Sequence, residues 1–148
     1  MLLATHLVAG AAVGSVVERP LPRTLAALAT HLVLDGVGHD DVSLSPAAQA
    51  VLGAATLAVL ATCCGPTSPA VLGALAGAVP DTEIAFNLAL FGGRVARYVF
   101  PSHWQIRKTE PPTHPYRFPG PPVSVAVELA IAAGGLAAIS VIGRRRRR

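Results

Sequence analysis

Charge is scarce in this sequence. Only 14% of its 148 residues are Asp, Glu, Lys or Arg, while 52% are hydrophobic. That balance is too apolar for an ordinary water-soluble domain and suits a chain solvated by lipid. Residues 42–80 carry no charge at all, a stretch long enough to cross a hydrocarbon core of about 30 Å nearly twice as helix, with Pro66 and Pro69 dividing it. The formal charge of +4 is not a nucleic-acid signature. Arg144, Arg145, Arg146, Arg147 and Arg148 supply five of the 12 basic residues, and the other seven face eight acids. With no basic patch in the body of the chain, nucleic acid is excluded as an expected partner. An arginine run directly after an apolar segment reads instead as a signal that holds a helix end in the cytoplasm, where it can also meet anionic lipid headgroups.

Cysteine is nearly absent as well. Cys63 and Cys64 are adjacent, which excludes a disulfide framework and the spaced pairs of a cysteine zinc site, and leaves them as apolar helix-end residues. No Lys or Arg precedes the first apolar run, so a retained first helix is expected rather than a signal peptide. Nucleotide-loop, serine-nucleophile and haem motifs are also missing.

What is present is a series of apolar runs bounded by Pro, Gly and charge. They predict five helices, over residues 2–17, 22–37, 46–63, 69–91 with an interruption at Pro80, and 122–143. The fold class expected is all-α: a single polytopic transmembrane bundle over residues 1–143, with an Arg tail at 144–148. Residues 92–121, rich in Pro, Arg and aromatics, cannot form a regular span. They are expected at the membrane surface, with Trp104, Tyr116 and Phe118 at the interface. Gly10 and Gly14, and again Gly73 and Gly77, have the spacing that lets transmembrane helices approach closely.

The chemistry is concentrated at His31, Asp35 and His39, which fall four residues apart and so share one helix face. Ionisable groups at membrane depth cost a few kcal/mol or more unless paired, hydrated or metal-bound, which makes them functional candidates by default. His6 lies about 6 Å along the first helix, and Asp35 about 6 Å below His39 in the second, so both sit at similar depth in a five-crossing arrangement. His6 also shares a face with Gly10 and Gly14. Asp81 follows Gly73 and Gly77 along one stripe, either as a ligand or as the N-cap of a helix restarting after Pro80. Imidazoles and carboxylates together suit zinc or manganese, and also iron, whereas calcium wants oxygen alone. His6, His31, His39, Asp35 and Asp81 are therefore candidate metal ligands, with Asp40 or Glu83 left for proton transfer. His31 and His39 lie about 12 Å apart along a straight helix, which favours His31 with Asp35. His103 and His114, in the Pro-rich segment, are expected at the surface and are secondary candidates for substrate or metal contact, and Glu128 in the last helix is either a charge partner to a loop arginine or part of the polar interior.

Residues 31–40 resemble the serine-His-x-x-x-Asp-x-x-x-His-x-Asp signature of small bacterial inner-membrane proteins grouped with predicted membrane-bound metal-dependent hydrolases. Thr5-His6-Leu7-Val8-Ala9-Gly10 and Gly77-Ala78-Val79-Pro80-Asp81 resemble their His-x-x-x-Gly and Gly-x-x-Pro-Asp elements, in the same order. Thr30 stands where the family carries serine, and its Arg-Gly-x-Thr-His-Ser element is absent. The resemblance implies a multi-pass protein of the bacterial inner membrane whose metal site comprises His6, His31, Asp35, His39, Asp40 and Asp81, acting as a hydrolase of lipid or phosphoester substrates. Two other classes fit the same residues: a non-catalytic membrane scaffold, partnered by a second copy or another membrane protein, with a structural His/Asp stripe, and a proton or metal-ion transporter.

Overall fold

The computed structural model describes residues 2–36, 44–92, 98–105 and 121–146. Five α-helices and one short 3-10 turn account for most of them, with no strand among the described residues. The helices are α1 (Leu3–Val16), α2 (Pro20–Gly36), α3 (Pro46–Cys64), α4 (Pro69–Phe91) and α5 (Pro121–Arg146). The 3-10 turn, η1, spans Pro101–Gln105. Two stretches, Ala47–Cys64 and Ala126–Gly143, are long and apolar enough to cross a membrane, and α1 is a shorter apolar helix.

Local chemistry explains the boundaries. Both α3 and α4 open on Ser-Pro: Ser45 accepts from the Ala48 amide and Ser68 from the Val71 amide, while the proline occupies the first turn. A serine cap satisfies an amide that the helix cannot, and a proline there gives up no hydrogen bond. At its other end α4 stops at Gly92, whose φ of 57° is left-handed, a conformation that costs glycine little.

One expectation is corrected. The fourth segment does not break at Pro80, because α4 runs unbroken from Pro69 to Phe91 with Pro80 inside it. Asp81 is therefore mid-helix rather than the N-cap of a new one. Proline removes one amide donor from the ladder, and packing on neighbouring helices can hold the turn together regardless. Here the His31 ring brings a side-chain donor to the Gly77 carbonyl in that same region. Two edges also shift outward: α2 begins at Pro20, and α5 continues to Arg146, beyond the expected end at Gly143.

Helix α1 is the hub, packing against all four other helices. It meets α4 through glycine. A Cβ placed on Gly10 would collide with the Gly73 carbonyl, and one on Gly14 with the Pro69 carbonyl, so the two backbones touch directly. This is the close approach that small residues at four-residue spacing permit. Leu7, Ala11, Leu60, Ala70, Val71, Ala74 and Ala78 fill the adjoining core. Leu3 faces Gly53 on α3, and Val8 faces Gly135 on α5. The contacts place α1, α3 and α5 parallel to one another and α4 antiparallel to α1, so the helices alternate in direction.

Candidate functional site

The polar residues gather at the end of the bundle where α1 begins. His6 from α1, His31 and Asp35 from α2, and His103 from η1 are buried, exposing 2, 1, 3 and 1% of their surface. Asp81 from α4 completes the group, and its side chain is 23% exposed. Asp35 lies at the centre. Its Oδ1 is 3.3 Å from His6 Nε2, and its Oδ2 is 3.1 Å from His31 Nε2 and 3.5 Å from His103 Nε2. Ser102 donates to the same Oδ2 at 2.5 Å. Asp81 Oδ1 stands 3.8 Å from His31 Nε2 and 3.9 Å from His103 Nε2.

The opposite ring nitrogens decide what those contacts mean. His31 Nδ1 lies 2.7 Å from the Gly77 carbonyl oxygen, which can only accept, so Nδ1 carries the proton. His103 Nδ1 is likewise 2.7 Å from Glu83 Oε1. In its neutral form each imidazole has one N–H, so each Nε2 then turns a lone pair toward a carboxylate, whereas a protonated ring donates there. Lone pair facing carboxylate is repulsive unless a cation, proton or metal, stands between them. Two ligands each about 2.1 Å from an ion lie about 3.0 Å apart at a right angle and about 3.4 Å apart at the tetrahedral angle. The four separations between these Nε2 atoms and the two carboxylates run from 3.1 to 3.9 Å. An outer acceptor on the far nitrogen of each ligating histidine is also the usual arrangement around a bound metal.

His6 and His31 stack with ring centroids 3.9 Å apart, and Phe100 meets the His31 ring edge-on at 5.2 Å. His103 is held above the ordinary imidazole pKa. Burial pushes it down, but hydrogen bonding to Asp35 and Glu83 and the nearby charge of Asp81 outweigh that. The site thus attracts positive charge. Possible ligand triads within it are His6, His31 and Asp35, and His31, Asp81 and His103. Both draw on the single Nε2 lone pair of His31, so they describe one ion rather than two.

Four residues singled out in the sequence as ligands meet here: His6, His31, Asp35 and Asp81. Glu83 lies at the edge, with one oxygen receiving the Val99 amide at 2.8 Å and the other receiving both the Phe100 amide at 3.0 Å and His103. That engagement suits an anchor better than a proton carrier. His103, expected at the surface with a substrate or metal role as the alternative, stands among the candidate ligands, and residues 98–105 line the site. Ser102 was not anticipated, and its only signal was its place in Ser102-His103-Trp104. His39, Asp40 and His114 lie outside the described residues, as do Tyr116, Phe118, Arg147 and Arg148 and the side chains of Trp104, Arg144, Arg145 and Arg146.

Glu128 of α5 is 5% exposed. It accepts from the Leu2 amide at 2.9 Å and from the Thr5 hydroxyl, capping the start of the helix that carries His6. A carboxylate at a helix N-terminus satisfies free amides and opposes the helix dipole.

The chain matches no protein-family model, and searches of curated proteins and of solved structures find no match.

Proposed function

We propose that this protein is a polytopic membrane protein that holds one divalent metal ion, zinc or manganese, among His31, His103, Asp35 and Asp81, and uses it to hydrolyse an ester or phosphoester delivered from the bilayer. The observation that carries the reading is the pair of histidines whose Nδ1 atoms are committed to Gly77 and Glu83 while their Nε2 lone pairs converge on two carboxylates. No thiolate competes for the ion, since Cys63 and Cys64 lie at the end of α3, and the nitrogen and oxygen donors suit these metals.

Support for the membrane comes from the inversion of the usual pattern. The exterior carries Leu25, Val33, Val59, Phe86, Leu90 and Leu129, each more than half exposed. His6, His31, Asp35, Asn87, His103 and Glu128 are buried. Large apolar surface facing outward and ionisable groups facing inward is what lipid as solvent demands.

His31, His103 and Asp35 would hold the ion, which when bound would supply Lewis-acid activation of water. Asp81 Oδ2 is buried without a hydrogen-bond partner among the described residues. Asp81 would serve as the proton acceptor for hydrolysis, and its side chain is the partly exposed one of the group. His6 keeps Asp35 oriented from the other face.

Elemental analysis of the untagged protein in detergent tests the reading, beside Asp35→Asn and His31→Ala. About one metal ion per chain, lost in both variants, together with metal-dependent cleavage of a chromogenic phosphodiester or ester, is the expected result. Protein that takes up no ion from zinc, manganese or iron solutions overturns it and leaves a scaffold. Bound metal without cleavage of either substrate class overturns the hydrolase assignment alone.

A further inference from the structure

Of the four residues around the proposed ion, His31, Asp35 and Asp81 sit on the helices of the bundle, but His103 does not. It arrives on residues 98–105, a segment that η1 and a few contacts hold against α2 and α4. The fixing of those residues therefore decides whether the site is complete.

One face of α4 supplies a set of these contacts. Glu83 receives the Val99 amide on Oε2, and the Phe100 amide and His103 Nδ1 on Oε1. One turn further along, Asn87 donates to the Tyr98 hydroxyl at 2.6 Å, and Tyr98 meets the His103 ring edge-on at 5.9 Å. Residues 83 and 87 are four apart and so share a helix face. Ser102, from the same segment, reaches Asp35. We infer that Glu83 is a positioning residue: its carboxylate anchors residues 98–105 and orients His103 as a metal donor. The inference rests on the metal-site reading above.

Glu83 acts in two ways. Its two oxygens receive successive backbone amides, which fixes the path of the segment on α4. Its charge, opposite His103 Nδ1, favours a proton on that nitrogen, which makes Nε2 the nitrogen that turns toward the proposed ion and strengthens it as a donor. An amide at position 83 keeps one acceptor but loses the charge, and presents an N–H where two amides and an imidazole already donate.

Cobalt(II) is the probe, because its visible absorption reports the ligand set directly. Affinity is measured by chelator competition on the untagged full chain in detergent, for wild type, Glu83→Gln, His103→Ala and the double variant, with helicity checked for each. Outer partners of metal-bound histidine are worth about 10–100-fold in affinity, so Glu83→Gln is expected to weaken cobalt binding by that factor and to change the absorption. In the His103→Ala background the same change is expected to add less than about threefold, because Glu83 acts through His103. His103→Gln supplies that background if the alanine variant fails to fold. Equal loss in both backgrounds, or no loss in either, overturns the positioning role while leaving the metal site standing. A wild-type chain that binds no cobalt overturns the metal reading and this inference with it. In the zinc-loaded protein, nitrogen NMR of the His103 ring should show Nδ1 protonated and Nε2 ligated. The reverse assignment also overturns the inference.

Discussion

Helix α1 and helix α3 are built for opposite surroundings. Helix α1, 14 residues long, buries nine of them, among them Thr5, His6, Gly10, Gly14 and Ser15. Helix α3, 19 residues long, buries little beyond Gly53 and Leu60, and turns Val51, Leu52 and Val59 outward. In a water-soluble bundle the polar residues would face out and the large apolar ones in. Here the enclosed helix is the one with polar and small residues. The difference separates two tasks: α1 fixes positions to within a side chain's reach, through backbone contact with α4 and a hydrogen-bonded cluster, while α3 covers that arrangement with apolar surface.

The contrast can be broken most severely at the cluster. Asp35→Asn removes the carboxylate that faces His6, His31, His103 and Ser102, and metal affinity measured by chelator competition should fall more than about 100-fold, beyond the range for outer partners. At the α1–α4 seam, Gly73→Ala places a methyl against the Gly10 carbonyl and should cost about 1–3 kcal/mol, the range for overpacking. Gly143→Ala, where a Cβ meets nothing, serves as its control in the same detergent unfolding titration. Acid should act more gently and only at the site. If an ion is held as proposed, protons compete with it for His103, whose ring is held above the ordinary imidazole pKa, so affinity is expected to fall as pH falls, by about tenfold or more between roughly pH 7.5 and 5.5. A flat profile over that range would mean that His103 is not a ligand. The smallest effect belongs to the covering helix: Val59→Ala, 58% exposed, should change stability by no more than about 0.5 kcal/mol.

Much of this contrast is legible in the sequence because it is local. Apolar runs ending at Ser45-Pro46 and Ser68-Pro69 set the helix starts, and four-residue spacing puts His31 with Asp35 and Gly10 with Gly14. The pairing of His6 with Asp35 also follows from depth along alternating helices. Pro80 misleads, because proline's cost is judged there without the neighbouring helices that keep α4 continuous. His103 is harder still. It is 68 and more residues from its partners Asp35 and His31 on α2, in a segment with no periodicity, and nothing in its spacing announces Glu83 as its anchor. Which tautomer a histidine adopts is invisible until the acceptor on its far nitrogen, such as the Gly77 carbonyl, is in place.

The cap that Glu128 places on α1 has a consequence in time. A chain is made from its N-terminus, so the helix bearing His6 exists long before its acceptor does. Until α5 arrives, the Leu2 amide and the Thr5 hydroxyl lack the carboxylate that receives them in the finished fold. The first helix is thus completed by the last, and the order of synthesis makes the His6 end of the site the part that settles at the close of assembly.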